Sequence, residues 1–459
     1  MKNLPLGIQT FKDLIKENYL YIDKTKDIYK LLTHNGKYFF LSRPRRFGKS
    51  LLISTLAEIF SGNHELFKGL WIYDKMIPKG SPGEEWKKYP IIRIDFSNML
   101  YTHGSQGFEE SFFSTIRSLA EDNKIELKEK NYKDGFKELL KKLSKVEKVV
   151  LLIDEYDKPI INFVDDLETA KKNRDILKNF YETIKACDEY IRFAFLTGVS
   201  KFSKVSVFSG LNNLTDITLS ENFATIIGYT EKQLQFYFED RIKLLAEKLE
   251  KTEQETKDTI KNWYNGYSWN GKDFVYNPYS ILLLFEHQSI NNYWFQTGTP
   301  AFLLKLIKEH QTNIIKFENK AVHSKIFDSY EIENINVESL LFQTGYLTVK
   351  EIKNQLSPFR EYILNYPNTE VRASFLNHLL MEFSNSQDND EIMISRLVNT
   401  LENKDLDEFF ERIKEVFSNI PAIIFMANKE AYYHTIIYLI LTLIGVRIAA
   451  EVHTNKGRI

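Results

Sequence analysis

Short apolar runs alternate with amphipathic stretches over the first half of the chain. Four of the apolar runs have the length and composition of strands, at residues 37–42, 90–97, 148–154 and 191–200. Helical periodicity follows or separates them, at residues 49–60, 107–121, 133–144 and 167–186. The run "VVLLI" is apolar at every position, which is typical of a strand buried on both faces of a parallel sheet. The pattern therefore predicts an α/β fold with a parallel sheet and flanking helices.

Helical patterns dominate after "SGLNNLTDITLS" (209–220). The longest predicted helix is 230–251, and further helices are predicted at 279–286, 300–309, 370–384, 392–401, 405–417 and 428–444. An aromatic, turn-rich stretch interrupts them at 262–280. We predict a first domain over 1–225, a mainly helical, winged-helix-like or lid domain over 226–355, and the start of a second α/β domain over 356–459.

Composition narrows the class of protein. Of 459 residues, 43% are hydrophobic and 27% charged, as in folded globular chains. Lys plus Arg (61) nearly equals Asp plus Glu (62), so no overall field attracts nucleic acid or an anionic membrane. The single cysteine, Cys187, excludes a disulfide framework within the chain and favours the cytoplasm. The most apolar run, Thr435–Val446, is too short to span a bilayer, so we predict a buried helix and no membrane partner.

The stretch "SRPRRFGKSLL" (42–52) lies between a predicted strand and a predicted helix. In a phosphate-binding loop, backbone N–H groups at a helix N-terminus surround the anion, a lysine reaches the phosphates, and a hydroxyl binds magnesium. Gly48, Lys49 and Ser50 fit that arrangement, but Arg43 occupies the position of the usual first glycine. The stretch alone therefore leaves two interpretations, a nucleotide site or a solvated basic turn.

A second motif favours the nucleotide site. The buried strand in "VVLLIDEYD" ends in Asp154 and Glu155, where one carboxylate is suited to the magnesium shell and the other to the attacking water. "FLTGVS" places Thr197 at the end of another strand, where it would either contact the γ-phosphate or be an ordinary turn residue. Together the motifs predict a nucleotide site that also binds Mg²⁺.

Seven stretches carry a resemblance to a known family, and they span residues 4 to about 347: "LPLGIQTFKDLI", "YIDKT", "RPRRFGKSLL", "LLIDEYDKPI", "FLTGVSKFSKVSVFSGLNNLTDIT", "WYNGY" and "LLFQTGYLT". The chain resembles the AAA-ATPase-like family of bacterial and archaeal proteins. In that family a P-loop domain precedes a nuclease-fold region of the PD-(D/E)XK superfamily, and "RPRRFGKS" is the normal form of the loop.

The resemblance implies roles for matching residues. Lys49 would contact the β- and γ-phosphates, Ser50 and Asp154 would hold Mg²⁺, and Glu155 would polarise the hydrolytic water. The nucleotide-binding loop would comprise Arg45, Arg46, Phe47, Gly48, Lys49, Ser50 and Leu51. The family also suggests a regulatory ATPase more than a motor, with a homo-oligomer as one arrangement.

The C-terminal part resembles the beginning of the family's nuclease region. Glu430 matches a helix glutamate that would act with an Asp and a Glu-x-Lys pair in metal-dependent cleavage of DNA or RNA. The sequence stops at Ile459, before those partners, so nuclease activity is not expected from these residues alone. Either a longer protein supplies them or the segment is structural, and a glutamate in a first helical turn is favoured without any metal.

Two functions follow as hypotheses. The first is an ATPase that controls a C-terminal nuclease, an arrangement suited to defence. The second is a nucleotide-dependent binding switch whose C-terminal region only docks a partner. The aromatic loop "WYNGYSW" (263–269) either stacks on nucleic-acid bases or packs beneath a loop.

Overall fold

A computed structural model of the chain describes 14 stretches of residues, namely 1–76, 86–102, 104–201, 207–208, 210–294, 303–304, 306–307, 314–327, 336–357, 359–384, 390–418, 429–445, 453–454 and 457–458. Most of the helix predicted at 300–309 lies outside these residues. The fold is mixed α/β.

A five-stranded, all-parallel sheet forms the centre of the N-terminal part. Its order is β2-β3-β4-β1-β5, and the strands are β1 (Tyr38–Ser42), β2 (Ile91–Asp95), β3 (Val149–Asp154), β4 (Ile191–Gly198) and β5 (Thr215–Asp216). Every residue of β1 and β3 is buried, as their continuous apolar sequences predict. The parallel sheet is confirmed and is consistent with a P-loop NTPase-like fold. The two-residue strand β5 was not predicted.

Helices accompany this sheet at Phe11–Lys16, Thr25–Leu32, Lys49–Phe60, Gly104–Asp122, Tyr132–Leu143, Lys158–Ile161 and Leu167–Ala186. Two of the predicted starts carry side-chain caps. Asn131 accepts a hydrogen bond from the Asp134 backbone, and Asp166 accepts one from the Thr169 backbone. Such caps satisfy backbone N–H groups that have no partner inside the helix.

The helix predicted over 230–251 is wrong as a single element. The structure contains two helices, Glu231–Tyr237 and Glu239–Lys248, and Phe238 between them has non-helical dihedral angles. Phe238 is buried and stacks on Phe285, with ring centroids 4.9 Å apart. Burial of this aromatic ring offsets the loss of helix continuity. The longest helix described is the 20-residue Leu167–Ala186 instead.

The region that follows is mainly helical but also contains strands. Its further helices are Glu253–Tyr264, Pro278–His287 and Val337–Thr344, and a short pair joins β6 (Tyr229–Thr230) to β7 (Val275–Tyr276). An antiparallel sheet that was not predicted has the order β8-β10-β9, with β8 at Lys320–His323, β9 at Thr348–Lys353 and β10 at Glu361–Asn365. The boundary predicted between residues 355 and 356 falls in the connection between the paired strands β9 and β10.

The C-terminal part contains the predicted helices, observed at Thr369–Ser384, Asp390–Glu402, Leu406–Ser418 and Lys429–Leu443, and a short antiparallel pair, β11 (His453–Thr454) and β12 (Gly457–Arg458). The predicted burial of the apolar run holds for Ile436, Leu439 and Ile440. Within the described part of the chain, no helix has both the length and the apolar character needed to cross a membrane.

Hydrophobic packing does not follow the predicted domain boundaries. One core cluster extends from Phe40 in the central sheet through Trp269 and Leu341 to Leu379 near the C-terminus. A second cluster combines Leu4 and other N-terminal residues with the helices between 231 and 287. The division into three domains stays a prediction.

Candidate active site

The loop between β1 and the helix Lys49–Phe60 has the geometry of an anion-binding turn. Gly48 lies immediately before the helix with a φ of 92°, and Arg46 also has a positive φ, of 67°. A glycine adopts this left-handed conformation without the steric cost that other residues incur. The helix begins with Lys49 and Ser50, so its free N–H groups lie near the carboxyl ends of the parallel strands.

Arg43 is not part of a solvated turn, so the basic-turn interpretation is wrong for this residue. Its side chain is fully buried, and Nη1 donates to the carbonyls of Ser42 and Thr218 at 2.8 and 2.9 Å. Its guanidinium lies over the Trp269 ring, 3.8 Å from the centroid. Burial lowers the pKa of Arg43 to about 9, and the charge of Asp216 opposes that shift. Arg43 therefore remains a cation at neutral pH and anchors the loop to distant parts of the chain.

Phe47 anchors the loop on its other side. Its buried ring makes edge contacts with Tyr267 and Trp269, at centroid distances of 4.8 and 5.6 Å. Both partners are buried and belong to the aromatic loop predicted either to stack on bases or to pack. The structure places these two rings beneath the phosphate loop, where they pack against the chain itself.

Lys49 occupies the centre of the loop. Its side chain is only 4% exposed, and Nζ donates to the carbonyls of Arg43 and Pro44, both at 3.1 Å. The carboxylate of Glu155 lies 4.0 Å from the same Nζ. The structure therefore brings together the lysine of the first motif and the second carboxylate of the other.

Asp154 ends β3 directly beside the start of the P-loop helix. It is completely buried, and its Oδ1 accepts a hydrogen bond from the Glu155 backbone. Its Oδ2 is buried without a hydrogen-bond partner among the described residues. Burial raises the pKa of Asp154, while the adjacent Ser50 hydroxyl and the charge of Lys49 oppose the rise. A cation at this position would satisfy the carboxylate that burial otherwise disfavours.

Arg45 and Arg46 are exposed and line the cleft above the loop. The guanidinium of Arg46 lies over the Tyr279 ring, 4.6 Å from its centroid, and the Arg45 carbonyl accepts a hydrogen bond from Asn277 at 3.4 Å. The opposite wall of the cleft thus comes from the start of the helix Pro278–His287, which the sequence did not link to the site.

The cleft has a volume of about 440 Å³. Its lining includes Lys49, Ser50, Glu155 and Lys158, together with the N-terminal segment Pro5–Gln9 except for Leu6. A narrower apolar slot of about 70 Å³ lies against the same loop and shares part of this lining, namely Pro5, Gly48, Leu51, Tyr229 and Pro278. A polar cleft that adjoins an apolar slot suits a ligand with a charged end and a flat apolar end.

Thr197, one of the predicted catalytic residues, does not line the cleft. The hydroxyl of Thr197 is buried and donates to the Leu41 carbonyl at 2.8 Å, so it joins β4 to β1. Glu430 is the second residue of the helix Lys429–Leu443, and its side chain lies outside the described residues. Their catalytic roles stay predictions.

Two carboxylates at the same edge of the sheet were missed. Asp95 ends β2 opposite Asp154 and lines the cleft. Asp157 is fully buried, and its Oδ2 accepts hydrogen bonds from the backbones of Val199 and Ser200 at 3.0 and 2.6 Å. Burial raises the pKa of Asp157 to about 6, and the nearby charge of Glu155 adds to the rise. Asp95 is the last residue of β2 and Asp157 follows β3, and this position at the end of a strand is the signal that could have identified them.

Comparisons with known proteins agree with this geometry. A family model described as "Predicted AAA-ATPase" matches residues 5–208, which include the loop, β3 and β4. A protein of Azotobacter chroococcum mcd 1, described as "Uncharacterized protein in vnfD 5'region", is 36% identical over 466 residues, which cover 100% of this chain and 86% of that protein. The similarity to that relative thus extends beyond the ATPase region. The chain belongs to the predicted AAA-ATPase family.

Proposed function

We propose that the protein binds ATP with Mg²⁺ in the cleft above the loop and hydrolyses its γ-phosphate bond. The single observation that carries this proposal is the convergence of two separate motifs. Lys49 and Ser50 begin a helix behind a left-handed glycine, and Asp154 at the end of β3 and the following Glu155 lie within reach of them. The family suggests ATPase activity, and this convergence supplies a physical basis for it.

The triphosphate fits the loop because Lys49 is already positioned there. Its Nζ donates to two carbonyls of the loop, which are neutral acceptors, and phosphate oxygens would be stronger ones. The N–H groups at the start of the helix and the exposed Arg45 and Arg46 add positive potential to the cleft. Binding would exchange two hydrogen bonds from the Lys49 ammonium to neutral carbonyls for bonds to anionic phosphate oxygens.

Mg²⁺ fits beside the loop, where Ser50 and Asp154 would hold it. Asp154 offers a buried oxygen with no hydrogen-bond partner among the described residues, and magnesium commonly takes few protein ligands with the rest from phosphates and water. No group of three His, Cys, Asp or Glu side chains suited to a metal occurs in the described residues. When bound, the ion would supply positive charge that offsets the negative charge developing on the phosphates.

Glu155 is the residue placed to orient water. Its backbone has a φ of 51°, a conformation uncommon outside glycine, and its side chain is 26% exposed toward the cleft. The carboxylate can accept a hydrogen bond from water while Lys49 holds the phosphate beside it. The apolar slot lined by Leu51, Ile226 and Tyr229 would take the adenine ring.

The test compares nucleotide binding and phosphate release in three variants. Lys49→Ala should reduce the affinity for Mg·ATP by at least about 100-fold, because it removes the central cation of the loop. Glu155→Gln should bind Mg·ATP normally and release phosphate at least about 100-fold more slowly. Lys172→Ala removes an exposed helix lysine and serves as the control with wild-type behaviour. A wild type that binds no nucleotide in calorimetry would overturn the proposal.

The C-terminal region would either cut or dock a partner of the ATPase. The DNA- or RNA-directed role is based on the resemblance of the segment around Glu430 to the family's nuclease region, and the helix Lys429–Leu443 followed by the pair β11–β12 is compatible with it. Cleavage of labelled DNA and RNA with Mg²⁺, with and without ATP, tests that role. Nucleotide-dependent binding without cleavage would favour the docking switch.

A further inference from the structure

Three consecutive backbone N–H groups follow the end of β4, and each donates to a side-chain oxygen. Val199 and Ser200 donate to Asp157, as described above, and Lys201 donates to Oε1 of Gln343 at 2.7 Å. The chain after β4 is thus held from two sides by residues that are distant from it in sequence. Asp157 lies two residues after Glu155, so one of the two hydrogen-bond acceptors is part of the proposed water-orienting motif.

Gln343 belongs to "LLFQTGYL", a motif to which the sequence assigned no chemistry. It is nearly buried in the helix Val337–Thr344, and its Nε2 donates to the Ser339 hydroxyl at 3.3 Å. Two residues later, Gly345 ends the helix with a φ of 94°. A Cβ built on Gly345 would approach the Pro44 ring to 2.8 Å. The end of this helix therefore contacts both the phosphate loop and the chain after β4.

The chain after β4 in turn fixes the backbone around Glu155. The Tyr156 backbone donates to the Thr197 carbonyl at 3.1 Å, and the Tyr156 hydroxyl donates to the Ser200 carbonyl at 2.9 Å. Glu155 has a strained, positive φ, so its position depends on the neighbours that hold it. Loss of one of the hydrogen bonds that fix this chain would therefore displace Glu155 through Tyr156 and Asp157.

We propose that Gln343 is a positioning residue for ATP hydrolysis, which it serves by accepting the Lys201 N–H and so holding the chain after β4 against Tyr156 and Asp157. The inference rests on the proposed ATPase function of the cleft. Among the described residues, Gln343 does not line the cleft that we propose to bind phosphate. Its loss should therefore slow turnover without weakening nucleotide binding.

Three substitutions separate the acceptor from the bulk of the side chain. Gln343→Leu keeps the approximate size and removes the acceptor, whereas Gln343→Glu restores an oxygen acceptor. Thr344→Val is the control, because the Thr344 hydroxyl donates only to carbonyls of its own helix in the described structure. The measurements are kcat and KM for ATP, the Kd of a fluorescent ATP analogue with Mg²⁺, and the melting temperature.

We expect Gln343→Leu to lower kcat by about tenfold or more, since small misplacements of a catalytic group have effects of that order. The Kd should change by less than about twofold, and Gln343→Glu should recover most of the rate. The inference would be overturned if Gln343→Leu and Gln343→Glu lost kcat equally, or if kcat were unchanged in Gln343→Leu. It would also be overturned if Gln343→Leu changed only the Kd. If Gln343→Leu does not fold, Gln343→Asn shortens the reach of the amide and should show the same split.

A failure of the proposed function is recognised separately. If the wild type neither binds the analogue nor releases phosphate, the ATPase proposal fails and the Gln343 experiment has no rate to compare. If the wild type hydrolyses ATP and Gln343→Leu does so equally fast, only the positioning role of Gln343 is refuted.

Discussion

Replacing Arg43 tests whether the residue at the position of the missing glycine is a structural anchor. Arg43→Ala removes the donor to the Thr218 carbonyl, which costs about 1–3 kcal/mol when the acceptor stays buried. It also removes the contact with Trp269, worth about 1–2 kcal/mol for a desolvated cation, and about 1.6 kcal/mol of buried methylene groups. Relief from burying the charge offsets some of this sum. We expect a net loss of about 4 kcal/mol.

The assay is thermal unfolding, with Arg45→Ala as the matched control. For a cooperative unit of about 350 residues, with an unfolding entropy of about 2.1 cal/mol/K per residue, 4 kcal/mol corresponds to a fall in Tm of roughly 5 °C. Arg45 is exposed, so its replacement should change stability by less than about 0.5 kcal/mol. The same control should instead weaken Mg·ATP binding by about tenfold, because it removes a cation from the cleft.

Arg43→Ala should therefore lower the Tm, whereas Arg45→Ala should weaken Mg·ATP binding. Either expectation can be refuted by the measurement. A fall in Tm below about 2 °C for Arg43→Ala would show that its buried hydrogen bonds contribute little. Equal falls for Arg43→Ala and Arg45→Ala would show that the loop is a uniform basic turn. A variant Arg43→Lys should fall between wild type and alanine, because an ammonium keeps the charge but lacks the planar fork.

Burial raises the pKa of Glu370 to about 7, so the folded state binds more protons than the unfolded state above pH 4.5. The free energy of unfolding should therefore fall by about 3 kcal/mol as the pH rises to 7. Glu370→Gln should flatten this slope in denaturant titrations at several pH values. Gly345→Ala should lower both Tm and Mg·ATP affinity, because the added Cβ meets Pro44 and the φ is unfavourable; an unchanged affinity would show that Pro44 does not transmit the clash. Thr197→Val should cost about 1 kcal/mol of stability and leave kcat within twofold, since its hydroxyl donates to Leu41; a large loss of kcat would instead support the predicted contact with the γ-phosphate.

The sequence predicted the central sheet well because its strands are apolar at nearly every position. The four longer strands, β1 to β4, were identified within a few residues, and the helix after the loop was identified at Lys49–Phe60. β5 has only two residues, which gives no periodic signal. β10 alternates buried with partly exposed residues over only five positions, and β9 is buried only at its first two positions, so their pattern is weak beside the neighbouring helices.

The candidate site was predicted in part. Lys49, Asp154 and Glu155 meet as the spacing of the two motifs suggested, because parallel strands end at the same edge of a sheet. The burial of Arg43 could not be predicted, because its partners Thr218 and Trp269 lie 175 residues or more away in sequence. Local patterns report burial and turns, whereas such long-range partners depend on the completed fold.

The loop between β1 and the helix Lys49–Phe60 packs against the second half of the chain. This packing limits where the chain can be cut without loss of the loop's structure. Phe47 and Arg43 pack on Tyr267 and Trp269, and Pro44 packs on Gly345. A chain cut after residue 225 would leave these loop faces without their partners and expose apolar surface to water. Transplanting the first 225 residues to another protein would thus transfer the motif without the scaffold that shapes it. The unit that folds around this loop therefore extends at least to residue 345.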